Sequence, residues 1–281
     1  MSKLQRRIVL TGASGGIGQA LCRVLAPQAA RLFIVGRQLA PLQALARQYP
    51  DGMVVPVSGD ITAPTFVAAL AQTVRDQGGV DLLINNAGVS AFGSFAEMGG
   101  DRIAEMVQAN LLGPLLLTQA LLPSLQAMPA AQVINIGSTL GYIGYPGYAG
   151  YCASKFGLRG FTEALSRELA DTTVRVRLFS PRATQTTMNS SAVHAMNQAL
   201  GSAEDSPEAV AAAFLRFLEA PSADFRMGQP EAFFSRLNQV FPRLVAGSLR
   251  RQLPTIRRFF SSSFSTSSSA SSPHTTKELP L

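Results

Sequence analysis

The chain has 281 residues, of which 47% are hydrophobic and 15% charged, and this size suits one compact α/β domain with an added segment at one end. Its net charge is +7, but the residues from Arg226 onward hold eight basic and two acidic side chains, so the rest is nearly neutral and gives no basis for a nucleic-acid partner. Two cysteines, Cys22 and Cys152, lie in segments that predict separate helices, which fits reduced thiols better than a disulfide scaffold.

The ends and apolar runs of the sequence bear on location. Residues 1–7 lead straight into a short apolar run that ends in glycines, unlike a secretory signal peptide. The apolar run 111–117 is too short to span a bilayer, and Gly113 and Pro114 interrupt it. We therefore expect a cytoplasmic protein.

The first elements in chain order are a strand, a glycine-rich turn and a helix. Residues 7–11 predict a buried parallel strand, residues 12–18 contain four glycines, and residues 19–25 follow a helical pattern. Glycines let the backbone approach a pyrophosphate, whose charge is favoured at a helix N-terminus. A helix start or a tight loop could use the same residues, but the flanking strand and helix favour a dinucleotide site.

The next predicted strand, residues 31–35, ends in Gly36 and Arg37. An acidic residue at this strand tip suits the ribose 2′-hydroxyl of NAD, whereas a basic one suits a 2′-phosphate. Arg37 therefore favours NADP(H). The alternative is a solvated arginine at a strand end.

The chain then alternates predicted helices and strands. Helices are predicted at 39–48, 62–77 and 97–122, and strands at 53–57, 80–84 and 132–136. Small or polar residues follow each of these strands, and in a parallel sheet such ends meet at the carboxyl edge, where ligands bind. A further helix carries Tyr151 and Lys155, and residues 173–179 predict the sixth strand.

Tyr151 and Lys155 are four residues apart, which places the phenol and the ammonium on one face of a helix. A nearby ammonium favours the phenolate and lowers the pKa of the phenol, so the pair is suited to acid–base catalysis. The alternative is an aromatic ring packed under a solvated lysine stem.

These motifs, taken in order, resemble the short-chain dehydrogenase/reductase family over roughly residues 6 to 200. The resemblance rests on Thr11-Gly-x-x-x-Gly-x-Gly18, Asp60, Asn85-Asn-Ala-Gly88, Asn110, Ser138, Tyr151-x-x-x-Lys155 and the segment 181–186. It implies a doubly wound, Rossmann-type parallel sheet of about seven strands. It also implies a homodimer or homotetramer, paired through the long helices around Asn110 and Tyr151.

The resemblance also implies roles for individual residues. Tyr151 is the acid that protonates a carbonyl oxygen, or the base in the reverse direction, and Ser138 binds the substrate oxygen. Lys155 holds the nicotinamide ribose, and Asn110 links it to a proton relay through its backbone and a water. The implied cofactor contacts are Gly12, Ser14, Gly15, Gly16, Ile17, Gly18, Arg37, Asp60, Ile61, Asn86, Ala87, Gly88, Tyr151, Lys155, Pro181, Thr184 and Thr186. Taken singly, Ser138, Asn110 and Asp60 could instead be a loop cap, a helix kink and a turn residue.

Residues 181–205 contain one departure from the family pattern and one segment predicted to be mobile. Arg182 stands where the family usually has glycine, and its basic side chain is expected to face the cofactor or an anionic substrate. Residues 187–205 are expected to form a mobile flap over the substrate. His194 lies in this flap without a cluster of metal ligands around it, so no metal site is expected.

The C-terminal part of the chain extends beyond the family pattern. Ser206 and Pro207 predict a helix start, residues 225–227 a last strand, and residues 229–260 a basic amphipathic helical extension that Pro242 and Pro254 divide. An apolar stripe beside arginines could pack over the substrate pocket, contact another subunit, or bind the anionic inner face of a membrane. The serine-rich residues 261–281 are expected to be disordered.

The sequence therefore predicts a catalytic domain over residues 1–228, the extension 229–260 and the tail 261–281. The predicted activity is hydride transfer between NADP(H) and a lipophilic carbonyl or alcohol, such as a ketoacyl chain, a steroid-like ketone or a retinoid-like aldehyde. Two other hypotheses are a non-catalytic protein that senses NADP(H), and a membrane-peripheral module in which the extension is the working part.

Overall fold

A computed structural model describes residues 6–260 and contains one seven-stranded parallel sheet in the order β3-β2-β1-β4-β5-β6-β7. The strands are β1 (Arg6–Thr11), β2 (Ala29–Gly36), β3 (Val54–Ser58), β4 (Leu82–Asn85), β5 (Ala131–Ile136), β6 (Val174–Ser180) and β7 (Asp224–Arg226). The order reverses after β3, since β4 lies on the other side of β1, and this confirms the predicted doubly wound sheet. The predicted tail, residues 261–281, lies outside the described residues.

Helices cover both faces of this sheet. In the described part of the chain they are α1 (Gly16–Leu25), α2 (Leu39–Ala46), α3 (Pro64–Asp76), α4 (Gly100–Val107), α5 (Gly113–Gln126), α6 (Ala149–Glu168), α7 (Ser191–Ala199), α8 (Pro207–Glu219), α9 (Gln229–Val240) and α10 (Pro242–Arg257). None of these helices is both long enough and apolar enough to cross a bilayer.

The side chains of each strand alternate between two hydrophobic cores. Leu10 of β1 packs with Leu21 of α1 and Phe214 of α8 on one face. Val9, its neighbour in the strand, packs with Leu121 of α5 on the other face. Because successive strand side chains point to opposite faces, one continuous apolar strand supplies both layers, as expected for a buried parallel sheet.

The long helix predicted over residues 97–122 is interrupted. A π-helical segment, Gln108–Leu112, separates α4 from α5. The predicted disturbance in hydrogen bonding is therefore present, but it precedes Gly113 and Pro114. The wider turn contains Asn110, whose side chain is fully buried.

Three local predictions near the C-terminus have different outcomes. The helix start at Ser206 is confirmed, since Ser206 Oγ accepts a hydrogen bond from the Ala209 N–H at 3.1 Å. The predicted flap 187–205 is partly ordered as α7, which buries Val193 and Met196. Pro242 begins α10 as predicted, but Pro254 does not divide the extension, because α10 runs through it to Arg257.

Arg177 of β6 is a buried cation that caps the end of α8. Its guanidinium donates to the carbonyls of Phe217, Leu218, Ala220 and Ser222 at 2.6 to 3.2 Å, and to Gln132 Oε1 at 2.8 Å. The charge therefore satisfies carbonyls that a helix end leaves without partners, at the negative end of the helix dipole.

We expect Arg177→Met to lower the free energy of unfolding by about 3 to 5 kcal/mol, because several buried carbonyls lose their donor at once. Urea unfolding monitored by circular dichroism measures the change. Arg175→Met is the matched control, since Arg175 lies two residues away on the same strand and is exposed. Equal midpoints for the two variants would contradict this account of Arg177.

Candidate active site

The turn between β1 and α1 is built so closely that glycine is required at two positions. Gly12 has φ +65°, and a Cβ there would lie 2.7 Å from Ala87 Cα. A Cβ on Gly18 would lie 2.1 Å from the Gly12 carbonyl oxygen. Gly15, before the first residue of α1, provides no side-chain cap, which leaves the start of α1 open to an anionic ligand.

Hydrogen bonds hold this turn against the end of β4. Thr11 Oγ1 accepts from the backbone N–H groups of Asn86 and Ala87, both at 3.0 Å. Asn86 Nδ2 donates to the carbonyls of Thr11 at 2.9 Å and Gly12 at 3.2 Å. The two strand ends therefore form one rigid floor at the carboxyl edge of the sheet.

A cleft of about 420 Å³ opens above this floor. The predicted cofactor residues that line it are Gly12, Ser14, Gly15, Gly16, Ile17, Gly18, Arg37, Asp60, Ile61, Asn86, Ala87, Gly88 and Thr186. Asp60 also satisfies its own turn, because its Oδ1 accepts from the Thr62 N–H and Oγ1, each at 2.8 Å. The open helix start and the glycine floor fit a dinucleotide pyrophosphate.

Two arginines lie at one end of the cleft. Arg37 follows β2 and is 69% exposed, with Nη1 3.6 Å from Glu105 Oε1. Arg102 of α4 pairs with the same carboxylate and donates to the Ser90 carbonyl at 3.1 Å. Arg102 could not be predicted from the sequence, since no motif contains it and only the fold brings α4 to the tip of β2.

A second cavity, of about 500 Å³, adjoins this cleft. Ser90, Thr186 and Met188 line both spaces. The predicted residues Ser138, Tyr151, Pro181 and Thr184 line the second cavity. A dinucleotide lying along the cleft and a second molecule in the cavity would therefore meet beside Tyr151.

The proposed acid, Tyr151, lies in the first turn of α6 next to Ser138, which follows β5. Burial raises the pKa of Tyr151 to about 12, against a hydrogen bond with Ser138 that acts to lower it. Ser138 Oγ also accepts from the Leu140 N–H at 3.1 Å, which fixes the hydroxyl at the end of the strand. The phenol therefore keeps its proton at neutral pH.

Lys155 lies below Tyr151 and is 5% exposed. Its Nζ donates to the Ile136 carbonyl at 2.9 Å and is 5.8 Å from the centre of the Tyr151 ring. Burial lowers the pKa of Lys155 to about 8. The expected lowering of the Tyr151 pKa by this ammonium is not found, because burial is the largest influence on the phenol and raises its pKa.

Asn110 is fully buried in the π-helical segment and links three parts of the site. Its Oδ1 accepts from the Val89 N–H at 2.8 Å, and its Nδ2 donates to the Val89 carbonyl at 2.9 Å and to Ser154 Oγ at 3.0 Å. The side chain therefore joins the segment after β4 to α6. Its backbone role in a proton relay stays a prediction.

Arg182 makes contacts that correct its expected role. Its Nε and Nη2 donate to the two carboxylate oxygens of Asp205 at 2.9 and 2.8 Å, and Nη1 is 3.6 Å from Glu231 Oε2. Two carboxylates thus balance the guanidinium, so it does not offer an unpaired charge to an anionic substrate. It instead connects the segment after α7 to the start of α9.

His194 also makes a local contact, since its Nδ1 lies 3.0 Å from Glu204 Oε2. Among the residues that the structure describes, no group of three His, Cys, Asp or Glu side chains could hold a metal ion.

The extension supplies one wall of the second cavity, and sequence analysis left this open. Phe234 of α9 and Val245 and Leu249 of α10 line this space, as do Tyr145 and Tyr148. The apolar spacing in residues 233–245 indicates an amphipathic helix, but it does not indicate which surface the apolar side of that helix contacts. Tyr148 belongs to no sequence motif and so could not be predicted as a site residue, although its ring centre lies 6.1 Å from that of Tyr151.

Comparisons with known proteins agree with this arrangement. A model of the short chain dehydrogenase family matches residues 6–197. An uncharacterized oxidoreductase of Staphylococcus epidermidis is 32% identical over 190 residues, which cover 67% of this chain and 82% of that protein.

Two solved structures resemble the fold. A short chain dehydrogenase from Burkholderia cenocepacia in complex with NADP has a TM-score of 0.76 at 25% identity, covering 89% of this chain and 99% of its own. A short chain dehydrogenase/reductase from Burkholderia phymatum in complex with NAD has a TM-score of 0.77 at 22% identity, covering 87% and 96%, and supports the fold alone. With the family model covering more than half of its length, the chain belongs to the short-chain dehydrogenase/reductase family.

Proposed function

We propose that this oxidoreductase, whose family and cleft indicate a nicotinamide cofactor, uses NADP(H) to reduce the carbonyl of a lipophilic substrate, or to oxidise the matching secondary alcohol. The observation that carries the proposal is the meeting of the two cavities at Ser90, Thr186 and Met188, beside Tyr151 and Ser138. Group transfer between two bound molecules needs such a junction, closed by protein on its other sides.

Tyr151 is the proton donor of the proposed reduction. Because burial raises its pKa to about 12, its Oη carries a proton at neutral pH and can give it to a carbonyl oxygen. Ser138 Oγ lies beside it and holds the same oxygen, which stabilises the negative charge that develops there. When bound, the reduced nicotinamide supplies the hydride that the carbonyl carbon accepts.

Lys155 is proposed to orient the cofactor ribose rather than to move protons in the substrate. Its Nζ sits at the Ile136 carbonyl and would be 3.8 Å from a Cβ placed on Gly88, so it lies between the cleft floor and Tyr151. A pKa of about 8 leaves most of its charge in place at neutral pH.

The preference for NADP(H) rests on the pair of guanidiniums at the end of the cleft. Arg37 and Arg102 share the carboxylate of Glu105, and both line the cleft. A 2′-phosphate would attract both arginines and repel Glu105, whereas a ribose 2′-hydroxyl gains little from either cation. We propose that the two arginines release Glu105 on binding the phosphate.

A lipophilic substrate is proposed from the walls of the second cavity. The tyrosines, Val193 and Met196 of α7, and the apolar residues of α9 and α10 form much of the lining. Polar groups also line the cavity, among them Arg182 and Glu231, whose opposite charges lie 3.6 Å apart. In such a cavity the binding free energy comes chiefly from burying apolar surface of the substrate. This suits a ketoacyl chain, a steroid-like ketone or a retinoid-like aldehyde.

A homodimer or homotetramer is proposed through α4 and α6. Val107 at the end of α4, Leu112 at the end of the π-helical segment and Phe156 of α6 are between 38% and 41% exposed. Contact with a second copy would remove this apolar surface from water.

The test is an initial-rate assay of NADPH and NADH oxidation with a graded series of ketones. We expect kcat/KM to be higher with NADPH, and to rise by about fourfold per added methylene until the cavity is filled. A rate equal or higher with NADH would contradict the cofactor proposal. NADPH binding without turnover of any carbonyl would instead support the nucleotide-sensing hypothesis.

A further inference from the structure

Five of the eleven large apolar side chains exposed in residues 6–260 lie within the hairpin of α9 and α10. We call them the hairpin patch: Phe233, Phe234, Val240, Phe241 and Leu244, each between 45% and 68% exposed. Isolated exposed apolar residues are common, but a cluster of this kind marks an interaction surface.

The hairpin does not need this patch to attach to the domain. Ala232, Ser235 and Val245 are buried on the opposite side. Asn238 Nδ2 donates to the Tyr142 carbonyl at 2.9 Å, and Arg226 Nη1 donates to Ser235 Oγ at 2.9 Å. Because one side is already packed and hydrogen-bonded, the patch is left as a second, outward surface.

The charge around the patch has one sign. Residues 229–260 hold six arginines and one acidic residue, Glu231, which lies against Arg182. Within the described range, none of the six forms an ion pair with a carboxylate: Arg236, Arg243, Arg250, Arg251, Arg257 and Arg258. Arg236 lies between Phe233 and Val240 on the exposed side of α9.

We propose that the hairpin patch docks on a lipid bilayer with anionic headgroups, with its phenylalanines in the interface and its arginines at the phosphates. Exposed aromatic and aliphatic residues next to arginines match that surface in both polarity and charge. A second copy fits less well, because a two-fold contact would bring Arg236 and Arg243 against their own counterparts.

The patch also borders the second cavity. Phe234 belongs to both, since it is 45% exposed and lines the cavity with Val245 and Leu249. Docking would therefore place the cavity next to the bilayer, so that a lipophilic substrate enters from the membrane. This consequence rests on the proposed function, whereas docking itself does not.

The test is co-sedimentation of the full chain with phosphatidylcholine vesicles, with and without phosphatidylserine. We expect binding only to the anionic vesicles, weakened by salt, and lowered by about tenfold for each of Phe233→Ser and Phe241→Ser. Arg236→Gln combined with Arg243→Gln should also weaken it. Phe95→Ser is the matched control, since Phe95 is 59% exposed and lies outside the hairpin, and Arg47→Gln controls for lost charge.

Turnover of a water-soluble ketone separates this proposal from the proposed function, because Phe233 and Phe241 do not line either cavity. It should be unchanged in both variants, and a chain without turnover can still bind vesicles. Equal binding to neutral and anionic vesicles, or equal loss in Phe95→Ser, would overturn the proposal. A change in oligomeric state in Phe233→Ser, seen by light scattering without a change in vesicle binding, would assign the patch to a second copy instead.

Discussion

Tyr151→Phe is expected to lower kcat for carbonyl reduction by roughly 10²- to 10⁴-fold, the usual contribution of a positioned general acid. The ring stays in place, since it packs beside Tyr148 with 6.1 Å between ring centres, so only the proton and one hydrogen bond are lost. Cofactor affinity should therefore change little, which titration of NADPH fluorescence can measure. The kinetic comparison uses single-turnover rates, which isolate the chemical step from product release.

The pH dependence of the unmodified enzyme gives the Tyr151 experiment a second readout. Reduction needs the protonated phenol, and a pKa raised to about 12 keeps it protonated, so the reduction rate should not fall for lack of this proton between pH 6 and 9. Alcohol oxidation needs the phenolate, whose fraction rises about tenfold per pH unit below that pKa. We therefore expect the oxidation rate to rise with pH, and this rise to disappear in Tyr151→Phe.

Tyr148→Phe is the matched control, because Tyr148 lines the same cavity three residues before Tyr151 and has no proposed part in the proton transfer. It should change KM more than kcat. If Tyr151→Phe kept more than a tenth of the normal rate, or if Tyr148→Phe lost as much, the acid would have been assigned to the wrong phenol.

The parts of the site that could be predicted from the sequence are those whose chemistry depends on local geometry. The glycines at 12 and 18 are required by contacts of 2.7 and 2.1 Å within one turn and the strand end beside it. Tyr151 and Lys155 are one helical turn apart, so their shared face follows from spacing alone. The geometry of such features is set within one turn or one helix, so it does not depend on where that element lies in the fold.

The parts that could not be predicted depend on packing between distant segments. Arg102 lies near Arg37 in the cleft only because the fold brings α4 to the tip of β2, although the two arginines are 65 residues apart in sequence. The extension lines the cavity only because Asn238 and Ser235 hold α9 on the domain. The pKa of Tyr151 was expected to fall, since spacing identifies the neighbouring charge but not how much water burial removes.

Arg182 illustrates the same limit in electrostatics. From the sequence alone, Arg182 is an arginine in place of the usual glycine, and its positive charge is expected to be free for the cofactor or an anionic substrate. In the fold, Asp205 and Glu231 lie within 2.8 and 3.6 Å of its guanidinium, and both come from segments that the sequence alone could not bring together. Arg182 thus binds the segment after α7 through a bidentate ion pair with Asp205 and contacts α9 through Glu231, so the wall of the cavity depends on ion pairs as well as on apolar packing.

Arg37→Asp is expected to lower the ratio of kcat/KM with NADPH to that with NADH by roughly 10²-fold or more, since a charge-assisted phosphate contact is lost and a repulsion is added. The new carboxylate would also face Glu105, so Arg37→Ala separates loss of attraction from added repulsion and should show part of the change. Arg102→Ala should move the ratio in the same direction, because both arginines line the same end of the cleft.

Arg47→Asp is the control for the cofactor switch, as it makes the same charge change on an exposed arginine that follows α2, outside the cleft. Its ratio of kcat/KM with NADPH to that with NADH should match that of the unmodified enzyme. This result would exclude long-range attraction between the arginine and the cofactor phosphate as the cause of the change in Arg37→Asp. If Arg37→Asp and Arg47→Asp gave the same ratio, Arg37 would be a solvated strand-end residue, and the preference for NADP(H) would have no basis at the tip of β2. If the ratio fell only in Arg102→Ala, the 2′-phosphate would be bound by Arg102 of α4. Arg37 would then serve only to hold Glu105.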